Sequence, residues 1–290
     1  MKLVTFAHEG STRIGAVVGH EVVDGSAAPG LPRDMLGFLE AGRSALDGLA
    51  RLIEGGRGRI PLEGVHLGPP VPRPPKFLAI GLNYADHIAE TGRERPEFPA
   101  FFNKQSTCVN GPYDPIQRPR VSEKLDYEGE LGFVIGRRCR HVPKQRAWEV
   151  IAGYLDVNDV SVRDWQARAP TMTLGKSFDT HGPIGPWIVT PDEVPDPHAL
   201  DLRTWVNGGL RQSSNTRHMI FNCYEQVAVL STAFTLEPGD IVSTGTCSGV
   251  GVLMKPRGYL KIGDVVRVEI EGIGYIENRV IEEPADSACI

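Results

Sequence analysis

The chain has 290 residues, enough for one large domain or a small one joined to a large one, with 41% hydrophobic and 23% charged residues and a mean hydropathy of -0.19. No apolar run approaches the roughly eighteen residues of a membrane span, which excludes a helical membrane protein. A net charge of -5, with no basic run longer than 137-RRCR-140, speaks against nucleic acid as the main partner and leaves a small molecule. The N-terminal MKLVTFAHEG has no apolar core behind its lysine, so neither a secretory signal nor a transit peptide is expected, and the expected location is the cytoplasm. Five scattered cysteines without a CxxC argue against a disulfide framework or structural zinc. Gly 33 and Pro 23 together point to many turns between short strands, hence a β-rich α+β fold.

In chain order, residues 1–68 read as a small N-terminal α/β domain: alternating KLVTF and RIGAVVGHEVVD, then a helical pattern over 34–55. The proline cluster 69-PPVPRPP-75 marks the boundary with a larger domain over 69–290. There 76-KFLAIG-81 reads as a buried strand, followed by a helix in 83-NYADHIAETG-92 with Asn83 as N-cap and Gly92 as stop. A strand is expected over 125-LDYEGELGFVIG-136, and 153-GYLDVNDVSVRDW-165 is a second apolar and acidic segment. The stretch 222-NCYEQVAVLSTAF-234 carries Asn222 and Glu225 at capping-box spacing ahead of an apolar face. Two GD turns, in 236-LEPGDIVSTG-245 and 260-LKIGDVVRVEIEG-272, each feed a β-branched strand.

Glu128 and Glu130, at i and i+2, project from one face of the expected strand, where two carboxylates repel unless positive charge sits between them. Asp156, Asp159 and Asp164 compete as a third acid, and three oxygens of this kind suit a hard cation such as magnesium or manganese. Spacing does not choose the aspartate, and a solvated edge strand has the same pattern. His87 and Glu90 lie one turn apart on the expected helix, an arrangement able to poise a general base, although ordinary surface pairs share it. The other histidines show no such pairing in sequence. Lys176 sits in 174-LGKSFDTHGPIGP-186 ahead of a Gly/Pro-rich turn, and 244-TGTCSGVG-251 alternates hydroxyls and glycines suited to presenting N–H groups to an anion. The latter is neither a GxSxG nucleophile elbow nor a Walker loop.

In this order, GLNYADHIAE, YEGELGFVIG, GYLDVNDVSVRD, GKSFDTHGPIGP, VNGGLRQSSNTRHMIFN and LEPGDIVSTGTCSGVG make residues 70–282 resemble the fumarylacetoacetate hydrolase family. The resemblance implies a mixed β-roll core beside a small N-terminal domain and a homodimeric assembly. It further implies Glu128, Glu130 and Asp159 as ligands of Mg2+ or Mn2+, His87 and Glu90 as a catalytic pair, Lys176 as a catalytic lysine, and Gln212 and Thr246 as substrate contacts. Cys247 departs from the family loop, which usually has proline after TGT. The expected activity is metal-dependent hydrolysis of a carbon-carbon bond in a 2,4-dioxo acid of the acylpyruvate kind. Alternatives are a decarboxylase, isomerase or hydratase of related oxo acids, and a catalytically silent scaffold that binds metal and oxo acid.

Overall fold

Alternating apolar residues at the N-terminus fold into a meander. β1 (Lys2–His8), β2 (Ser11–Val18) and β3 (Glu21–Asp24) pair antiparallel, turning at Gly10 and Gly19, both with positive φ. In this computed structural model, which describes residues 1–285, the helical pattern of 34–55 is split in two. Asp34 caps α1 (Met35–Ala41) by accepting from the Gly37 amide at 2.9 Å, and α2 (Arg43–Glu54) begins directly after Gly42. The break is Gly42 itself: its φ of 56° interrupts the helical ladder, which a periodicity of apolar residues does not reveal. β4 (Arg59–Pro61) then pairs with β3, and β5 (His66–Leu67) with β1.

Past the prolines, β6 (Phe77–Gly81) leads into α3 (Ala85–Thr91), which Gly92 stops in the left-handed conformation. Asn83 does not cap this helix. Tyr84 occupies the cap position without a side-chain bond, and the Asn83 amide instead donates to the carbonyls of Phe221 and Thr244 and accepts from the Phe221 amide. Asn83 thus ties three distant segments together, a use of its amide that local spacing cannot distinguish from capping. β7 (Ala100–Lys104) runs back along β6, followed by β8 (Val109–Asn110) and β9 (Ile116–Arg118).

The strand expected over 125–136 is two strands, β10 (Leu125–Asp126) and β11 (Gly129–Ile135), with Glu128 in the irregular step between them. β11 is buried along its whole length: Leu131, Phe133 and Ile135 face one core cluster, and Val134 faces the other. Its antiparallel partner is β12 (Ile151–Asn158); β13 (Ser161–Val162) pairs with β10 and runs into one helical turn, α4 (Arg163–Gln166). β14 (Gly182–Val189) pairs with β12 and also with β1, so the N-terminal meander joins the main sheet. β15 (Asp201–Val206) and β16 (Gly209–Asn215) precede α5 (Cys223–Ala233), which starts on the expected capping box. β17 (Ile241–Ser243), β18 (Val265–Ile270) and β19 (Gly274–Glu282) complete the chain.

The result is a β-rich α+β fold. A mixed twelve-stranded sheet has the central order β1-β14-β12-β11-β17-β6-β7, and a five-stranded sheet β16-β15-β18-β19-β9 packs against β11, β12 and β14. Leu131, Phe133, Leu202, Ile270 and α5 residues Val227 and Leu230 share the core between them, while α1 and α2 cover the other face through Phe38, Leu49 and Leu52. Among the described residues no helix is long and apolar enough to cross a membrane, and Cys108, Cys139, Cys223 and Cys247 are all free; Cys289 lies outside the described residues.

Candidate functional site

Where β10 breaks and β11 begins, the Glu128 amide donates to Asn158 Oδ1 and the Asp159 amide donates back to the Glu128 carbonyl at 2.8 Å. This exchange carries the paired strands past their regular ends and brings their acids together. One carboxylate oxygen each from Glu128, Glu130 and Asp159 lies within 4.8 Å of the others, and all three residues are buried. Of the three candidate aspartates, only Asp159 joins the glutamates. Asp164 accepts from Ser122 Oγ, and Asp156 points away into the sheet interface, where neither oxygen has a well-formed hydrogen bond although the Ile270 amide lies nearby.

Positive charge is laid among these acids. Lys176 Nζ donates at 2.7 Å to both Glu128 Oε2 and Asp159 Oδ2. A second buried lysine, Lys104 from the end of β7, donates at 2.6 Å to Asp159 Oδ1 and also to the carbonyls of Lys176 and His181. Arg163 donates at 2.5 Å to Glu128 Oε1 and at 2.8 Å to Asp126 Oδ2. Burial by itself raises the Glu128 carboxyl, but Lys176 and Arg163 outweigh it and hold its pKa down at about 2. Burial also opposes the charge on Lys176, yet Asp159 and Glu128 keep that ammonium above the ordinary lysine value. Glu130 differs: burial first, then repulsion from Asp159 and Glu128, pushes it well above the usual carboxylate range. It is held by Ser243 Oγ at 2.5 Å and the Gly245 amide at 2.8 Å, both donating to Oε2.

The donor set suits a divalent cation. Oxygens sharing a magnesium or manganese ion at about 2.1 Å sit up to roughly 4 Å apart, so oxygens within 4.8 Å of each other need only small side-chain adjustments to close on one. All are hard carboxylate ligands, and no histidine or cysteine takes part, which disfavours zinc.

Glu128, Lys176, Arg163 and Gln166 line a cavity of about 720 Å³ together with His87 and Thr246. His87 Nδ1 lies 3.1 Å from Glu90 Oε2, while Glu90 Oε1 accepts from the Gly249 amide, so the acid is anchored at both oxygens. With Nδ1–H directed at Glu90, Nε2 keeps its lone pair as the basic nitrogen. Gln212, expected as a substrate contact, stands directly behind the cavity-lining Thr246. Its carbonyl oxygen accepts from the Gly129 amide, and its amide nitrogen donates to Thr246 Oγ1 and the Cys247 carbonyl. It braces the strand holding the glutamates against the TGT loop, and Thr246 Oγ1 completes the link by donating to the Gly129 carbonyl. Cys247 is buried in this network.

Several contributors escaped the sequence reading. Lys104 sits in AFFNK, where nothing distinguishes it from a solvated lysine. Arg163 lies four residues past Asp159, and one of its terminal nitrogens, Nη2, is buried without a partner although the residue lines the cavity. His66 pairs with Asp114 at 3.1 Å across a long sequence separation, but half-exposed at the surface. A larger concavity, about 1090 Å³, lies between α1–α2 and the core; its charged residues are mostly exposed and paired with neighbours, as in Arg43–Asp47 and Arg138–Glu237, so it has no comparable chemistry.

Residues 76–281 match the model of the fumarylacetoacetate hydrolase C-terminal domain. The chain is 41% identical to the mitochondrial oxaloacetate tautomerase of Xenopus laevis over 97% of its own length and 90% of the relative's. Its fold is similar to that of maleylpyruvate hydrolase from Sphingobium sp. SYK-6, solved with manganese(II) and pyruvate (TM-score 0.83, 34% identity, 98% of this chain and 100% of the other). It is also similar to fumarylacetoacetate hydrolase from Exiguobacterium antarcticum (TM-score 0.86, 36% identity, 98% and 100%). On these matches the chain belongs to the fumarylacetoacetate hydrolase family.

Proposed function

We propose that the protein is a divalent-metal-dependent hydrolase that cleaves a carbon-carbon bond in 2,4-dioxo acids. The observation that carries the reading is that His87, backed by Glu90, lines the same cavity as Glu128 and Lys176, beside the three-carboxylate cluster. A magnesium or manganese ion held by Glu128, Glu130 and Asp159 would supply Lewis-acid stabilisation of negative charge on the oxo acid. The Arg163 side chain, which lines the cavity, brings positive charge near the substrate carboxylate, and Lys176 offsets charge developing on the 2-oxo oxygen. His87 Nε2 takes a proton from water as the water oxygen bonds to the distal carbonyl carbon. The adjacent carbon-carbon bond then breaks, its electrons pass into the pyruvate enolate, and the imidazolium returns the proton to the enolate carbon. One water is consumed, and a carboxylic acid and pyruvate are released. Glu90 stabilises the transient imidazolium.

A second reading is supported by the two oxaloacetate tautomerases, from Xenopus laevis and Rattus norvegicus, that are 41% and 42% identical to the chain. In it His87 moves a proton between carbon and solvent, with no attacking water. The assay measures pyruvate release from acylpyruvates alongside keto-enol interconversion of oxaloacetate, in the wild type and in His87→Ala with Mn2+. The hydrolase reading expects pyruvate release to fall by about a hundredfold or more in the variant. Release that survives within a few fold removes water activation by His87. Rapid interconversion with no acylpyruvate cleavage in the wild type establishes the tautomerase reading instead.

A further inference from the structure

The charged side chains around the cavity are unequally satisfied. Glu128 is the one carboxylate among the described residues that line it, and it is already held by Arg163 and Lys176. Two further arginines, Arg93 and Arg168, line the same cavity, and among the described residues neither has an acidic partner. Both are exposed, so they stand at the solvent side of a cavity whose buried end holds Lys176 and Glu128. Arg168 is nevertheless placed: its guanidinium lies over the Trp165 ring at 3.8 Å from the centroid, and that ring meets Phe178 edge-on at 5.2 Å. Stacking orients the planar group and leaves its N–H fork free for a ligand, where a hydrated lysine would be neither oriented nor bidentate. Arg93 directly follows Gly92, so it stands just past the C-terminal end of the helix carrying His87. Phe102, Met172, Val250, Val252 and Leu253 supply apolar wall to the same cavity.

We propose that Arg93 and Arg168 form a second anion subsite that recognises the distal carboxylate of a dicarboxylic 2-oxo acid, making the pair a determinant of substrate specificity. This rests on the reading of the buried end as an oxo-acid site. A short carbon chain crosses the apolar wall, its oxo-acid end at Lys176 and Arg163 and its far carboxylate between the two outer guanidinium groups. Monocarboxylic acids of the same length forgo those charge-assisted bonds.

Isothermal titration of the full chain loaded with Mn2+ tests the inference. The probes are 2-oxoglutarate and 2-oxoadipate, each against the monocarboxylate of equal carbon number, 2-oxopentanoate and 2-oxohexanoate, with oxalate as a ligand too short to reach the outer subsite. The wild type is expected to prefer the dicarboxylate by about tenfold or more at one length at least. In the Arg93→Gln/Arg168→Gln double variant that ratio should fall below about threefold, with oxalate affinity changed less than about twofold. A ratio retained in the double variant, or a wild-type ratio near unity at both lengths, overturns the subsite while leaving the inner site intact. Failure of oxalate to bind the wild type overturns the oxo-acid reading itself, and the outer subsite with it.

Discussion

Lys176→Met deletes one charge while retaining most of the side chain's apolar stem, so its effects isolate the ammonium. In the wild type that ammonium is 2% exposed and bridges two carboxylates at 2.7 Å each, beyond the reach of solvent screening. Its loss does not orphan either acid, because Glu128 keeps Arg163 at 2.5 Å and Asp159 keeps Lys104 at 2.6 Å. The stability loss should therefore fall below the roughly 3–5 kcal/mol of a fully uncompensated buried charge, near 1–3 kcal/mol. The rate should suffer more. A preorganised cation aimed at developing negative charge contributes roughly 3–4 kcal/mol, so kcat should drop about 10²- to 10³-fold. The assay strips the protein with chelator, reloads Mn2+, and compares kcat for acylpyruvate cleavage, bound metal by mass spectrometry and the urea midpoint. Metal content should stay near wild type. A kcat within a few fold of wild type at normal metal content refutes the role given to Lys176, and a loss of metal in proportion to activity shows that the lysine supports the ligand cluster rather than the reaction.

Glu130→Ala removes one carboxylate of the cluster and the acceptor for Ser243 and the Gly245 amide, so Mn2+ should no longer raise the melting temperature and turnover should vanish; an undiminished Mn2+-dependent shift refutes the ligand assignment. Gln212→Leu leaves the buried Gly129 amide without its acceptor and frees Thr246, which should cost about 1–3 kcal/mol in urea unfolding and weaken oxo-acid binding; unchanged stability contradicts the bracing role. Asp156 provides a pH test. Burial first, then Glu269, raises its pKa well above the ordinary aspartate value, so the folded protein retains a proton that the unfolded chain releases as pH rises past about 4. That stabilising contribution is fully present below the unfolded pKa and is lost as pH climbs. Asp156→Asn removes the dependence, so its melting temperature should exceed wild type at about pH 8, with the gap shrinking toward about pH 4. A gap that widens on acidification contradicts a neutral buried Asp156.

Elements whose signals are local were legible in the chain. The Asn222–Glu225 box started α5, Gly92 ended α3, and both GD turns led into strands, because capping bonds and positive φ depend on residues a few positions apart. The ExE spacing of Glu128 and Glu130 and the one-turn separation of His87 and Glu90 were likewise visible, since strand and helix geometry convert sequence distance directly into space. Where a residue's local options were evenly balanced, distant partners chose. Asn83 had the composition of a cap but serves Phe221 and Thr244, and Gly42 had space inside a helix yet breaks it.

The sequence alone determined the class of the molecule: short strands, acids spaced for a hard cation, a histidine beside a carboxylate, and segments in the order that its family uses. Tertiary structure decided which groups act together. It selected Asp159 over Asp156 and Asp164 by the pairing of the Glu128 step with Asn158 and Asp159, and it tied Gln212 between the Gly129 amide and Thr246. It delivered Lys104 and Lys176, 55 and 17 residues away from Asp159, to opposite oxygens of one carboxylate. A buried charge is compatible with burial only through such partners, and those partners come from whichever strands the sheet places side by side; no pattern within one segment records that choice.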